Sequence, residues 1–374
     1  MRLSRLVLRH FRNLRNQELE LPAEGVALIG DNAQGKSNFL EAIYYLETFR
    51  SFRGARDAQL VRFGEDVFRI VGTAESDAAE VGPSEVAAAF QRRGRRKKVS
   101  VDGHTAERLT DALGHLSAVI FSPADVELVS GGPVERRRFL DIVLSLNETG
   151  YVKALQDYRN ILHRRNASLK AGASSSEVAA WEPGLIQSGG AVMDARGRWI
   201  SEKRAAFGRY YRSVSDEARA VMTYRPDVDH VEGASTEEVE EAFRRALRSS
   251  SERERRRGVT VVGPHRDDVR LHLEDEDDDL DLRDFGSGGQ RRTAALALRL
   301  VEAMTIREQR SRNPMVLMDD VFAELDPGRS ERILHLMEHE AVGQVVLTAP
   351  KDADVRIRRE RLERWRVTDG VIET

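Results

Sequence analysis

Two patterns of apolar positions follow each other near the start of the chain. Leu19 and Leu21 alternate with acidic residues, which is the period of two of a half-buried strand. Residues 26–29 form a short apolar run, typical of a fully covered strand. Apolar residues then recur at helical spacing over 40–46, with no proline or glycine before Gly54. The pattern predicts strands, a loop and then a helix.

The pattern changes between residues 123 and 258, where long stretches have helical spacing and are rich in Arg and Ala. We expect helices over 151–167 and 189–223. The Gly/Ala/Ser segment 171–176 is expected to form a turn between antiparallel helices. This part of the chain therefore reads as a helical insertion.

Strand patterns return after residue 258. We predict strands over 259–262, 269–273 and 280–282, with the acidic run 274–279 as the solvated tip of a hairpin. Near the end of the chain, an Asp-Gly pair at 369–370 lies between alternating apolar residues, which predicts a type I′ hairpin.

Composition narrows the possible classes of protein. The 374 residues favour two or three domains. The absence of cysteine excludes disulfides, thiolate metal sites and thiol nucleophiles. No run of about 18 apolar residues occurs, and charges interrupt the N-terminal segment, so neither a membrane span nor a secretory signal is expected. We expect a cytoplasmic protein.

The charge balance restricts any binding of nucleic acid to local basic patches. Basic residues number 59 and acidic residues 62, which gives a net charge of −3, so any affinity for nucleic acid must come from patches. Basic runs occur at 92–98, 136–138 and 253–257. Each run could contact phosphates or could simply be a solvated loop or helix face.

A phosphate-binding sequence lies between the predicted buried strand and the helix. It follows the pattern G-x-x-x-x-G-K-S, in which glycines let the backbone close around phosphates. The lysine neutralises the β- and γ-phosphates, and the serine hydroxyl ligates Mg²⁺. This motif predicts that ATP and Mg²⁺ are bound by Gly30, Asp31, Asn32, Ala33, Gln34, Gly35, Lys36 and Ser37.

Two further segments fit a nucleotide site. Four apolar residues, 315–318, lead into Asp319 and Asp320, as expected of a buried strand that presents acids at its end. Asp319 is placed to hold Mg²⁺, directly or through water, and Asp320 to orient or deprotonate the attacking water. The alternative is a strand that merely ends in an acidic turn.

The second segment is a serine and two glycines at the start of a helix predicted over 292–304. Such a start offers free N–H donors to a phosphate whose charge is neutralised elsewhere, although it also suits an ordinary helix cap. The residues concerned are Ser287, Gly288, Gly289 and Gln290.

The order of these segments is that of an ABC-type ATPase head. The predicted fold class is α/β, a P-loop ATPase head with a mixed sheet, flanking helices and an inserted helical arm domain. Residues 1–122 are expected to form the N-terminal part of the head with the phosphate loop, and 123–258 the arm. Residues 259–374 complete the head with the S-G-G-Q segment and the acidic strand.

The sequence also resembles the RecF family, from Leu8 to the C-terminus. The phosphate loop is shared with many families, but two blocks, G-G-P-x-x-R-R-x-F-L-D and G-P-H-R-D-D, are specific. The matching segments are 11–13, 30–37, 121–123, 131–133, 136–137, 139–141, 263–268, 287–290, 319–320 and 324–326.

The resemblance implies a mechanism and partners. It implies an ATP-dependent homodimer in which Ser287 of one subunit closes on the γ-phosphate held by the other, with slow hydrolysis. It also implies binding of double-stranded DNA beside single-stranded gaps, and cooperation with RecO and RecR in loading RecA.

The resemblance further assigns residues. By analogy Arg12 and Asn13 lie beside the nucleotide, Asp326 belongs to a loop that crosses the dimer, and Thr348 replaces the usual switch histidine. Asp320 stands where the wider ABC class has glutamate, which fits slow turnover.

Three alternatives stay open at this point: an ABC head of a transport machine, a chromosome-organising SMC head and a P-loop kinase. The two specific blocks disfavour the first, the lack of sustained heptads disfavours the second, and the S-G-G-Q segment disfavours the third. For Arg136 and Arg137, packing along the head and contact with DNA are equally open. Residues 263–268 are expected to be a polar corner that pins the end of a strand.

Overall fold

A computed structural model describes residues 1–75, 82–215, 219–274, 279–321, 327–340, 343–355 and 361–374. Contacts divide the chain into two compact units. The first unit comprises Met1–Val126, Ser213–Asp216 and Ala295–Thr374, and the second comprises Glu127–Arg212 and Glu217–Ala294. The three-segment division made from the sequence stays a prediction.

Strands and helices occur in both units. The strands are β1 (Arg2–Arg9), β2 (Gln17–Glu20), β3 (Gly25–Ile29), β4 (Val67–Glu75), β5 (Ser84–Gln91), β6 (Arg96–Val101), β7 (His104–Thr105), β8 (Ala118–Phe121), β9 (Arg219–Arg225), β10 (Asp268–Glu274), β11 (Leu280–Asp281), β12 (Met315–Asp319), β13 (Val345–Ala349), β14 (Glu363–Thr368) and β15 (Val371–Glu373). The helices are α1 (Lys36–Thr48), α2 (Asp57–Leu60), α3 (Glu127–Ser130), α4 (Pro133–Asn147), α5 (Tyr151–Lys170), α6 (Ser175–Ala179), α7 (Glu182–Val214), α8 (Thr236–Arg257), α9 (Gly288–Arg310) and α10 (Pro327–Glu340).

The first unit contains a mostly parallel sheet in the order β15-β14-β3-β13-β12-β8. Strands β14, β3, β13, β12 and β8 run parallel, and β15 pairs antiparallel with β14. Strand β13 is buried along its whole length, and β3 and β12 are buried except at their last residue. This burial explains why they are short continuous apolar runs. The strand, loop and helix predicted at 26–46 are confirmed, and the carboxyl ends of these strands share one edge.

The second sheet of the first unit is antiparallel, in the order β2-β1-β4-β5-β6-β7. Burial alternates along β1, with Leu6 and Leu8 on the inner face and Arg5 and Arg9 on the outer face. The inner face joins the core of the parallel sheet and of α1. The outer face carries Arg5, Arg9 and Arg69 together with apolar residues such as Val71 and Ala87.

The type I′ hairpin predicted near the C-terminus is confirmed. Strands β14 and β15 are joined by Asp369 and Gly370, whose φ angles are 48° and 77°. Both values lie in the left-handed region that this turn requires.

The second unit combines helices with a small sheet, in the order β11-β10-β9. The predicted hairpin is confirmed, since His272 pairs with Asp281 and Leu273 with Leu280. Its tip, residues 275–278, lies outside the described residues. The segment 171–176 separates α5 from α7 as a turn followed by the short helix α6.

Two predictions of secondary structure made from the sequence are wrong: the end of one helix and the presence of one strand. Helix α7 ends at Val214, and residues 219–225 form β9, because their alternate apolar side chains pair with β10. Residues 259–262 are not a strand: the Thr260 amide donates to Asn166 Oδ1 (2.7 Å) and the Val261 amide to Glu254 Oε1 (3.0 Å). Side chains, rather than a neighbouring strand, satisfy this backbone.

A buried ion network stabilises the second unit. The guanidinium of Arg196 donates to Asp141 Oδ1 (2.8 Å) and to Asp267 Oδ2 (2.9 Å), and both Arg196 and Asp267 are almost fully buried. Asp267 also accepts the hydroxyl of Tyr224 and the amide of Asp227. Residues 263–268 are therefore a polar corner, as predicted.

The two basic residues whose role was open are also part of this corner. Arg136 is 4% exposed and forms a two-bond ion pair with Asp268, at 2.7 and 3.0 Å. Arg137 donates to the carbonyl of Asp267. Both side chains therefore pack within the protein, and contact of Arg137 with DNA stays a prediction.

Replacing Asp267 by alanine is expected to destabilise the protein by about 3–5 kcal/mol, because the buried charge of Arg196 loses a partner. The matched control is Arg198→Ala on α7, the helix that also carries Arg196. The ion pair of Arg198 with Glu148 is half exposed and should contribute less than about 1 kcal/mol. Urea unfolding of the full chain, followed by far-ultraviolet circular dichroism, measures both. Equal effects of the two substitutions would contradict the assignment.

Candidate functional site

The phosphate loop connects β3 to α1 in the first unit. Gly35 has φ 118° and Ala33 φ 66°, so the loop uses left-handed backbone at two positions. At Gly35 a side chain is also excluded by space, because an added Cβ would lie 2.9 Å from the Leu14 side chain and 3.0 Å from that of Asn13. The second glycine of the motif is therefore required by both conformation and packing.

Lys36 begins α1 with its ammonium turned back over the loop. Nζ donates to the carbonyls of Gly30 (2.6 Å) and Asp31 (2.9 Å). Burial lowers the pKa of Lys36, and the carboxylates of Asp320 and Asp319 act in the opposite direction. A desolvated ammonium held by two carbonyls is placed to exchange these contacts for phosphate oxygens.

Three predicted residues meet through their side chains at the carboxyl edge of the parallel sheet. Ser37 Oγ donates to Asp319 Oδ1 (2.7 Å), and Thr348 Oγ1 donates to the same oxygen (3.0 Å). Asp319 and Thr348 are partners in the register of β12 and β13. The sheet therefore places a hydroxyl and a carboxylate, both ligand types that Mg²⁺ prefers, within contact of each other.

Asp320 follows in a left-handed conformation, with φ 52°. Its amide donates to Thr348 Oγ1 (3.0 Å), which fixes the turn after β12. Burial raises the pKa of the Asp320 carboxyl, and Lys36 partly offsets this effect. The Asp320 carboxyl and the Lys36 ammonium are thus both partly desolvated, and each acts electrostatically on the other.

Asn13 lies directly against the phosphate loop, where the resemblance expects it. Its side-chain Nδ2 donates to the carbonyl of Ala33 (3.2 Å), and its Oδ1 accepts from Asn38 Nδ2 (2.7 Å). Arg12 is bound by Glu41, a fully buried carboxylate of α1, through two bonds of 2.8 and 3.0 Å. The structure therefore brings Asn13 to the loop and ties Arg12 to the helix behind it.

The sequence did not indicate that the C-terminal hairpin supports the phosphate loop. The amide of Asp369 donates to Gln34 Oε1 (2.6 Å), and that of Gly370 donates to the Gln34 carbonyl (3.0 Å). The carbonyl of Gly370 accepts from the Arg15 amide (2.7 Å). A Cβ at position 370 would lie 2.1 Å from the Asn13 carbonyl oxygen. The turn thus joins the loop to the segment that carries Asn13.

The S-G-G-Q segment lies in the second unit, at the start of α9. Ser287 Oγ accepts the amide of Gln290 (3.2 Å), and Gln290 Oε1 accepts the amide of Ser287 (2.8 Å). This is a reciprocal helix cap. Ser287 and Gly288 are exposed, and an added Cβ at Gly288 would meet open space. Gly289 follows within the first turn, and the predicted Asp326 lies outside the described residues.

The described residues contain neither a membrane-spanning helix nor a cluster of metal ligands. No helix there is both long and apolar enough to cross a membrane. No group of three or more His, Asp or Glu side chains in the same ranges is placed to hold a metal ion. The pair formed by Ser37 and Asp319 is thus the arrangement that the described part of the chain offers to a cation at the loop.

Comparison with known families and relatives gives consistent results. The model of the RecF/RecN/SMC N-terminal domain matches residues 2–371. The DNA replication and repair protein RecF of Synechococcus sp. (strain JA-2-3B'a(2-13)) is 38% identical over 355 residues, which cover 93% of this chain and 91% of that protein. The protein of the same name from Geobacter sp. (strain M21) is 34% identical over 378 residues and matches over 100% of both chains.

Solved structures agree. A structure of the recombination mediator protein RecF with ATP in the RecFOR pathway has a TM-score of 0.90 at 29% identity, over 99% of this chain and 96% of that one. An Smc head bound to the C-terminal winged-helix domain of ScpA has a TM-score of 0.58 at 15% identity, over 99% and 96%. The second likeness concerns the fold alone.

The two sheets, the loop and the acidic edge define a mixed α/β ATPase head of the ABC/SMC type, with the long helix α7 inserted. The predicted fold class is confirmed. Within this class, full-length identity of 34–38% decides among the alternatives. The chain belongs to the RecF family.

Gly370→Ala is expected to weaken the binding of a nucleoside triphosphate by about tenfold or more, because the added methyl group pushes the turn away from Asn13 and Gln34. The matched control is Gly103→Ala in the β6-β7 hairpin, a second Asp-Gly turn, with φ 49° and 78° and open space around the added Cβ. Both variants carry a left-handed alanine, which costs about 1–2 kcal/mol.

Isothermal titration measures the nucleotide affinity. Thermal melting measures the loss of stability that the left-handed alanine causes in both variants. The support role of the hairpin is wrong if both variants lose similar stability and both keep the affinity of the parent protein.

Proposed function

We propose that this protein is an ATP-dependent DNA-binding switch of recombinational repair, which dimerises on ATP and hydrolyses it slowly. One observation carries the proposal: Ser37, Asp319 and Thr348 are hydrogen-bonded together at the sheet edge, next to the buried ammonium of Lys36. The structure of the RecF relative with ATP supports the choice of nucleotide.

Mg²⁺ fits the oxygen donors present. Ser37 and Asp319 would hold it, and when bound it would supply positive charge to the β- and γ-phosphates. The hydrogen bond from Thr348 orients the Asp319 carboxylate toward Ser37. Lys36 would bind the same phosphates from the loop side, in exchange for the carbonyls that it now contacts.

Hydrolysis requires a group that positions water near the γ-phosphate. Asp320 is the carboxylate next to Asp319, and its raised pKa makes it a better proton acceptor than an ordinary aspartate. Aspartate is shorter than the glutamate of the wider ABC class, so the water would be held less closely. Slow turnover follows, which suits a switch more than a motor.

The proposed dimer is based on the S-G-G-Q segment, which lies at the start of α9. The hydroxyl of Ser287 and the N–H of the exposed Gly288 beside it can donate to a phosphate without a neighbouring lysine, so they need a phosphate neutralised elsewhere. We infer that this phosphate is the γ-phosphate held by Lys36 of a second subunit. Asp326 would join the same interface.

The DNA partner and the pathway rest on the family. The relatives are named DNA replication and repair proteins, and the similar solved structure belongs to the RecFOR pathway. We propose double-stranded DNA next to single-stranded gaps as the ligand. RecR and RecO, which help to load RecA, are the proposed protein partners.

Lys36→Met is expected to abolish ATP-dependent dimerisation, because the γ-phosphate loses its main countercharge. Asp320→Asn should keep ATP binding and accumulate the dimer, because only the activation of water is removed. Gel filtration with ATP, with ADP and without nucleotide separates the cases. Tight ATP binding and dimerisation by the Lys36 variant would refute the site.

Ser287→Arg should leave the ATP affinity of the monomer nearly intact but block dimerisation and hydrolysis, because a bulky cation enters the site of the partner. Mixing Ser287→Arg with Lys36→Met subunits gives a heterodimer with one doubly damaged site and one intact site. Partial ATPase activity should return on mixing two inactive proteins.

Control mixtures contain each variant with itself. A Ser287→Arg monomer that no longer binds ATP would show that Ser287 acts within its own subunit and would exclude the dimer mechanism.

A further inference from the structure

The outer face of the antiparallel sheet in the first unit carries its charges unevenly. At one end of the face, arginines are neutralised by ion pairs: Arg2 with Glu75 (2.6 Å) and Arg5 with Glu18 (2.5 Å). These pairs are exposed, so each is worth little in energy. They nevertheless neutralise the positive charge of both arginines at that end of the face.

The opposite end of the same face is positive. The register places Arg9 opposite Arg69, Arg69 opposite Ala89, and Ala89 opposite Lys98. Arg96 lies one alternate position further along β6. Within the described ranges, the side chains of Arg69, Arg96 and Lys98 have neither an ion pair nor a hydrogen bond.

This arrangement costs stability. Like charges directly opposite each other in an antiparallel pair repel, as Arg9 and Arg69 do here. Antiparallel strands are about 4.8 Å apart, so the row from Arg9 to Lys98 crosses three strand spacings, or about 14 Å. A surface that holds unneutralised cations in a row suits a regular polyanion.

An exposed aromatic side chain lies in a turn that is held to the residue after Arg9, because the Arg62 amide donates to the carbonyl of His10 (2.8 Å). Phe63 is 97% exposed, in the turn that precedes β4. Asp66 holds that turn to the β5-β6 tip, because its carbonyl accepts the Arg92 amide (2.7 Å) and its carboxylate accepts the Arg93 amide (3.1 Å). A fully exposed phenyl ring beside cations offers a stacking surface for a base.

We propose that this cationic face, defined by Arg9, Arg69, Arg96 and Lys98 with Phe63 at its edge, binds DNA where a duplex meets an unpaired strand. The cations contact duplex phosphates, and Phe63 stacks on an unpaired base beside them. The proposal rests on the DNA-binding function proposed above and gives it a surface. A single aromatic residue without an apolar band around it does not suit insertion into a lipid bilayer.

The first test removes two cations of the row with Arg69→Gln and Lys98→Gln together. The slope of log K against log salt for duplex DNA, with ATP present, should become shallower by about 1.8, or about 0.9 per phosphate contact. The matched control is Arg2→Gln with Arg5→Gln, which removes the same charge from the ion-paired end of the same face and should leave the slope unchanged. ATP affinity should stay unchanged in both proteins.

The second test concerns Phe63. Phe63→Ala should weaken binding to gapped DNA by at least about fivefold relative to an uninterrupted duplex of the same length, and Phe63→Trp should restore it. Because the ring is almost fully exposed, thermal stability should not change. Equal weakening on both DNA ligands would overturn the stacking role.

The outcomes separate the surface from the function. If the parent protein with ATP binds no DNA, the proposed function fails and the surface with it. If the parent binds DNA and the Arg69/Lys98 variant behaves like its control, the surface proposal alone is wrong. Loss of binding to phosphatidylserine vesicles with unchanged DNA binding would also overturn it, in favour of a membrane surface.

Discussion

The nucleotide site depends on the register of three parallel strands, β3, β13 and β12. Because Asp319 lies opposite Thr348, and Thr348 opposite Leu28, the carboxylate, the hydroxyl and the start of the phosphate loop reach one edge of the sheet together. A slip of one residue would place Met318 opposite Thr348 and turn the carboxylate to the other face. Buried apolar runs on all three strands prevent such a slip, so the hydrophobic core sets the geometry of the charged groups.

Support for the phosphate loop comes from both ends of the chain. Asn13 contacts it from the segment after β1, and the turn at Gly370 contacts Gln34 across 335 residues of sequence. Glu41 is buried and binds Arg12 and the hydroxyl of Ser51. A loop rich in left-handed backbone loses conformational freedom when it folds, and contacts of this kind hold it in one conformation before any phosphate arrives.

Local patterns were sufficient to predict the elements that carry the site, but not what supports them. The strand at 26–29, the helix after Ser37, the acidic strand and the Asp-Gly hairpin follow from period, burial and turn chemistry, which act over a few residues. The strand predicted at 259–262 was wrong because the backbone amides of Thr260 and Val261 donate to the side chains of Asn166 and Glu254, which lie on helices α5 and α8. The roles of Gln34 and Glu41 had no sequence signal, since a glutamine in a variable loop position and a glutamate in a helix are usually solvated.

Basic runs show most clearly what folding adds to the sequence. The basic runs at 136–138 and 96–98 look alike as sequence, but Arg136 is buried against Asp268, whereas Arg96 and Lys98 are exposed on a strand. Between them Lys97 points to the opposite side, where it pairs with Asp57 (2.9 Å) and lies over the ring of Tyr45. The period of two thus divides one run into a structural lysine and two outward charges. A count of basic residues cannot make this division, because it depends on which face of the strand has a counter-ion.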